Sequence, residues 1–82
     1  MHGKELLLNS NVAVVGESLV FTPRNLDGNV SLLVYDAKGS VVYSTVAGGN
    51  IEVCTAGYDA GVYFYIATDE AGFQNTGKLL VK

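Results

Sequence analysis

Tryptophan is missing from this sequence, and proline, cysteine, histidine and methionine each occur once. With Cys54 the sole cysteine, no internal disulfide can form. With His2 the sole histidine, neither a zinc cluster nor a cysteine–histidine nucleophile pair can be put together. Positive charge is scarce too. Lys4, Arg24, Lys38, Lys78 and Lys82 are scattered among eight acidic residues, for a net charge of −3 and a pI near 4.7. Nucleic acid is therefore excluded as a partner, because phosphate binding needs a basic patch. No apolar run approaches the roughly 20 residues of a membrane helix, so membrane insertion is not expected. Leu6-Leu7-Leu8 is too brief for the core of a signal peptide. Met1-His2-Gly3 reads as a cloning remnant, which leaves residues 4–82 as the domain and makes the chain a piece of a longer protein.

What is present is globular in character: 49% hydrophobic and 16% charged residues, with ten glycines among the 82. A disordered segment would be poorer in apolar residues and richer in charge. One domain is all this length allows, and so short a chain buries only about 60% of its unfolded surface. Helical periodicity is absent. Apolar residues alternate or run in short blocks bounded by Gly, Asn and Asp, as in strands. The blocks are residues 5–9, 12–15, 18–22, 30–35, 40–46, 51–53, 62–68 and 73–81. Pro23 should close the third, since proline cannot donate to a ladder. Asp36-Ala37-Lys38-Gly39 fits a type I turn between two paired strands, and Asp69-Glu70-Ala71-Gly72 repeats it. Gly39, Gly61 and Gly72 read as turn glycines, and Gly77 as a bulge. Residues 54–60 form an irregular crossing between sheets. The pattern predicts an all-β, immunoglobulin-like β-sandwich of about seven strands.

Asp59-Ala60-Gly61-Val62-Tyr63-Phe64-Tyr65-Ile66-Ala67-Thr68 organises the rest. Residues 62–67 carry no charge and three aromatics. The Asp-x-Gly-x-Tyr start resembles the corner of immunoglobulin-like sandwiches, where a tyrosine hydroxyl bonds back to upstream backbone. Tyr63 would fill that role, and Tyr65 stands where an antibody domain has its second cysteine. If Tyr63, Tyr65 and Ala67 point inward, Val62, Phe64 and Ile66 point outward. That apolar sheet face is then covered by a neighbouring segment or serves as a contact surface for a partner or a homodimer.

Four short patterns stand in one order: Val34-Tyr35-Asp36-Ala37-Lys38-Gly39-Ser40-Val41-Val42, Ile51-Glu52-Val53, Gly61-Val62-Tyr63-Phe64 and Gly77-Lys78-Leu79-Leu80-Val81-Lys82. The series resembles the C-terminal sorting domains of the type IX (Por) secretion system of Bacteroidetes, well over residues 30–82 and loosely over 6–21. The sequence departs from the family in lacking Pro after Asn9-Ser10-Asn11 and in carrying Tyr58 where Leu is usual. The resemblance implies a domain that follows a larger cargo. It would be recognised in the periplasm by the type IX secretion machinery and carried across the outer membrane to the cell surface or medium. A sortase-like peptidase would remove it as the cargo is attached to the surface.

Individual residues carry competing readings. Lys78 and Lys82 flank Leu79-Leu80-Val81; they either discourage edge-to-edge pairing or, by the resemblance, mark the strand that the machinery reads. Tyr35, Asp36, Gly39, Asp59, Gly61 and Tyr63 are structural motif residues. Glu52, Asp69 and Glu70 lack the regular spacing of a calcium loop, and no glycine is followed by the Lys-Ser/Thr of a phosphate loop. No cofactor, metal or catalytic set is expected, and the chain is not read as an enzyme. Asn29-Val30-Ser31 matches a glycosylation acceptor only formally. Against the sorting-signal reading stands a generic extracellular immunoglobulin-like adhesion or binding module.

Overall fold

The computed structural model describes residues 3–82; the cloning-remnant reading of Met1 and His2 and the pairing question for His2 lie outside the described residues. Every regular element is a strand: β1 (Glu5–Leu8), β2 (Val12–Ala13), β3 (Ser18–Arg24), β4 (Val30–Tyr35), β5 (Val41–Ala47), β6 (Ile51–Cys54), β7 (Gly61–Thr68) and β8 (Gln74–Val81). They form a three-stranded sheet in the order β1-β3-β6 and a five-stranded sheet in the order β2-β8-β7-β4-β5. There are eight strands, not the expected seven. Of the block at 12–15 only two residues form β2, and they lie parallel to the end of β8, Val12 beside Leu80 and Ala13 beside Val81. All other pairs are antiparallel. No helix among the described residues is long and apolar enough to cross a membrane.

Period-two alternation places the core. Leu6, Leu19, Phe21, Ile51 and Val53 point inward from the smaller sheet, and Val30, Leu32, Val34, Tyr63, Tyr65, Ala67, Leu79 and Val81 from the larger. Successive side chains point to opposite faces of a sheet, so the buried residues recur every second position. Phe21 meets Tyr65 edge-to-face across the sandwich with ring centroids 5.0 Å apart, a geometry that adds to the gain from area burial. Burial drives the Tyr65 hydroxyl pKa upward.

Two local expectations fail for identifiable reasons. Pro23 does not close β3; it lies inside the strand, opposite Leu6. Pairing with β6 runs only from Ser18 to Phe21. Past Phe21, β3 has a single partner, and a proline on such an open flank breaks no ladder bond on that side. Gly77 is not a bulge either. Pairing of β7 and β8 is continuous from Gly61–Val81 to Thr68–Gln74. Gly77 lies opposite Tyr65, and a Cβ there would sit 2.6 Å from the tyrosine ring. The glycine makes room for the aromatic side chain that packs over it. The one register shift falls between β4 and β5, at Val34/Tyr35.

Candidate recognition surface

The corner motif sits at one end of the sandwich. The Tyr63 hydroxyl donates to the Asp59 carbonyl at 2.6 Å. Tyr63 is buried, and burial together with the charges of Asp59 and Asp36 raises its pKa. The Tyr58 ring lies against that of Tyr63, centroids 5.2 Å apart. The Tyr58 hydroxyl oxygen is buried without a hydrogen-bond partner, and burial, then the neighbouring Tyr43 and Tyr63, raise its pKa. A cleft of about 500 Å3 opens here between the Asp36–Lys38 turn and the crossing through Gly57, Tyr58 and Asp59. Tyr58 thus supplies a ring to the corner.

Asp36 and Gly39 make the turn between β4 and β5. Gly39 N–H donates to the Asp36 carbonyl at 3.0 Å, and Asp36 Oδ1 accepts from Lys38 and Ser40 N–H, both at 2.9 Å. Gly39 has φ of 89°, a conformation that suits glycine. Tyr35 ends β4 half-buried on the outer side of the sheet, opposite Phe64 of β7 and Val41 of β5.

Lys78, Leu79, Leu80, Val81 and Lys82 do not form a free tail. β8 lies between β2 and β7, and its side chains alternate. Leu79 and Val81 are in the core, Leu80 is half-buried, and Lys78 and Lys82 are exposed. The parallel strand β2 secures the end: Leu80 N–H donates to Asn11 O, Lys82 N–H to Ala13 O, and Val15 N–H to Lys82 O, at 2.8 to 3.0 Å. Residues 78–82 are therefore two surface lysines on a strand whose alternate residues hold the fold.

Around Lys78 the outer face of the larger sheet is apolar. Lys78 is opposite Phe64, and Phe64 is opposite Tyr35. Leu80 pairs with Val62, and Ile66 with Leu33, in the adjoining rows. Phe64 is 43% exposed. Inward Tyr63, Tyr65 and Ala67 and outward Val62, Phe64 and Ile66 follow the alternation read from the sequence.

At the opposite end lies a charged cluster that the sequence pattern did not disclose. The buried Asp69 carboxylate accepts four hydrogen bonds, from Lys4 Nζ at 2.8 Å, Asp27 N–H at 3.1 Å, Ala71 N–H at 3.0 Å and Phe73 N–H at 2.9 Å. Lys4 also reaches Asp27 at 2.7 Å. The lysine bond and then the Asp27 N–H hold the Asp69 pKa far below the usual carboxylate range. The bonds to Asp27 and Asp69 raise that of Lys4. Glu70 turns to the β3–β4 loop, accepting from Asn29 N–H at 2.6 Å. Glu52 is on β6 in the other sheet. Among the described residues no three His, Cys, Asp or Glu side chains gather as metal ligands. Cys54 ends β6 with its side chain exposed.

Buried Thr55 was also missed. Its hydroxyl donates to Glu17 O at 2.7 Å and accepts from Gly16 N–H at 3.0 Å, fastening the crossing to the β2–β3 turn. A lone threonine in a loop carries no periodic signal that would reveal this.

Among solved structures, the chain is similar to a DUF3244 family protein with an immunoglobulin-like beta-sandwich fold from Bacteroides vulgatus. The TM-score is 0.73 at 24% sequence identity, over 82% of this chain and 77% of the other. That likeness establishes the fold as an immunoglobulin-like sandwich. A search of curated proteins gave no significant match. Residues 16–82, which include β3 to β8 complete, match the family model for the secretion system C-terminal sorting domain, and the chain belongs to that family, the sorting domains of type IX secretion.

Proposed function

We propose that this domain, residues 4–82, is the address label of a larger cargo. In this reading the type IX machinery recognises it in the periplasm. The cargo then crosses the outer membrane and is attached to the cell surface while a sortase-like peptidase removes the domain. The observation that carries the reading is the family match over residues 16–82. Membership makes the chain an export signal for the surface or the medium; transit, cleavage and attachment are the further steps proposed. The role asked of the domain is recognition, and no catalytic role is assigned to its residues.

Within that reading, the outer face of the larger sheet is the surface offered to the machinery. It joins an apolar strip through Val62, Phe64 and Leu80 to the cation of Lys78, with Lys82 at its margin. Apolar side chains would supply affinity on desolvation, and the two lysines orientation. A homodimer is the competing occupant of this face, and substitution of Phe64 with sedimentation as readout separates the two.

The test is an export assay with the whole chain fused behind a reporter bearing an ordinary secretion signal. A Bacteroidetes host with an intact type IX machine should place the reporter at the surface or in the medium. A machine-deficient strain should keep it periplasmic. Deleting residues 78–82 would remove Leu79 and Val81 from the core and confuse recognition with unfolding. The informative change is Lys78→Glu with Lys82→Glu, which leaves the core intact. Loss of export with an unchanged thermal midpoint supports recognition at these lysines. Periplasmic retention of the unaltered fusion in both strains overturns the sorting reading and favours a generic binding module.

A further inference from the structure

The sandwich has four sheet edges, and three are guarded. Strand β2 is two residues long. Strand β1 has four residues, with Glu5 exposed and Lys4 just before it. Strand β6 also has four, with Glu52 exposed. Shortness and charge are the usual defences of an edge against pairing with another chain. Strand β5 has neither. It runs seven residues, Val41–Ala47, without a charge or a proline. Val41, Val42 and Val46 are 53%, 38% and 63% exposed. Only β4 pairs with it.

Its sequence is close to symmetric. The register shift leaves Val42 opposite no residue of β4, and regular pairing runs from Tyr43 to Ala47. With the bulged Val42 included, the stretch Val42-Tyr43-Ser44-Thr45-Val46 reads nearly the same in either direction about Ser44. We infer that β5 pairs antiparallel with β5 of a second copy of this chain, with the two-fold axis at Ser44. The two five-stranded sheets become one continuous ten-stranded sheet. In that register Val42 of each copy lies opposite Val46 of the other, Tyr43 opposite Thr45, and Ser44 opposite Ser44. Valine pairs and an aromatic–β-branched pair are the favourable cross-strand combinations. Tyr43 and Thr45 lie on the inner side, opposite Val34 and Leu32 of β4, whereas Ser44 and Val46 lie on the outer side. The pairing therefore matches side for side. A two-fold contact requires a self-complementary patch, and this edge is one. The same register carries Lys38 of one copy toward the uncharged Gly48-Gly49-Asn50 turn of the other, so like charges do not meet despite the net charge of −3. The contact is small beside the roughly 1,200 Å2 or more of a stable interface. The dimer is accordingly weak and dependent on concentration. This inference does not rest on the export role.

Sedimentation velocity over rising concentration tests it, with the wild-type chain, Ser44→Lys, Ser44→Glu and Phe64→Lys. Ser44 is exposed, and circular dichroism checks that each variant keeps its fold. The wild type should dimerise. Either Ser44 variant sets like charges directly opposite and should weaken association roughly tenfold or more. An equimolar mixture of S44K and S44E should restore the dimer, because opposite charges then meet at the axis. Phe64→Lys, on the sheet face away from this edge, should leave it unchanged. Three results overturn the inference: a wild-type chain monomeric up to about 1 mM, S44K dimers as tight as wild type, or a mixture that fails to recover. Loss of the dimer in Phe64→Lys alone would assign it to the sheet face instead.

Discussion

The two ends of the sandwich carry the same four-residue turn in different settings. At one end Asp36 accepts from the N–H groups two and four residues on. At the other Asp69 does the same. Gly39 and Gly72 donate to the respective aspartate carbonyls at 3.0 and 3.1 Å, with φ of 89° and 90°. Locally the turns share one hydrogen-bond pattern. They differ in what the second carboxylate oxygen does. Asp69 Oδ2 accepts from Lys4 Nζ and Asp27 N–H, joining three distant parts of the chain, whereas the two N–H groups that donate to the Asp36 side chain both belong to its own turn. One motif thus makes a hairpin at both ends and, at Asp69, a tertiary tie as well. Turn chemistry alone fixes the hairpin, and burial decides whether the aspartate does more.

The largest expected effect separates the two turns directly. Asp69→Ala leaves the Asp27, Ala71 and Phe73 N–H groups without their carboxylate acceptor and takes from Lys4 its buried partner, leaving it only the exposed Asp27. It should lower the thermal midpoint much further than Asp36→Ala, which loses bonds within a surface turn worth about 1 kcal/mol. Equal losses, measured by thermal unfolding at neutral pH, would break the comparison.

Acid sharpens it. The Asp69 pKa is depressed in the folded chain, so its ionisation stabilises the fold above the ordinary value of 3.8. That stabilisation declines as the pH drops below this value toward the much lower folded one. Asp69→Asn should therefore flatten the acid limb of stability between neutral pH and pH 2. A denaturant midpoint followed against pH reads the change.

The smallest effect concerns the corner beside the Asp36 turn. Tyr63→Phe keeps the ring packed on Tyr58 and removes the bond to the Asp59 carbonyl. It should cost about 1 kcal/mol. An unchanged denaturant midpoint would mean that the hydroxyl contributes nothing beyond its exchange with water.

The same contrast explains what was legible in the sequence. The hairpin at Asp36, the alternation of β4 and β7 and the outward Phe64 are written in adjacent residues, and each could be read. The immunoglobulin-like class followed from strands of this length with turns between them. The tie from Lys4 to Asp69 spans 65 positions and leaves no periodic trace. β2 was read as a β-branched block, but its parallel partner at the far end of the chain was not, because two residues give no register signal. Pro23 and Gly77 were misread for one reason. The rules for proline and glycine in strands depend on what lies alongside, here an open flank and a tyrosine ring. The recognition role proposed for Lys78 and Lys82 came from family pattern, and composition alone would have left them as surface charges.

The grip of β2 on β8 has a consequence for the order of events at the ribosome. β7, the most apolar strand, acquires its β8 neighbour only from the last residues of this sequence, and Leu79 and Val81 are core residues. A nascent chain can pair β1 with β3, and β4 with β5, while synthesis continues. It cannot close the larger sheet until Lys82 is free to meet Ala13 and Val15. Folding must then bring together residues separated by almost the whole sequence, which is the slow class of contact. The interval before closure is one in which β7 has only β4 beside it, and any factor that holds the unfolded chain has that interval in which to act.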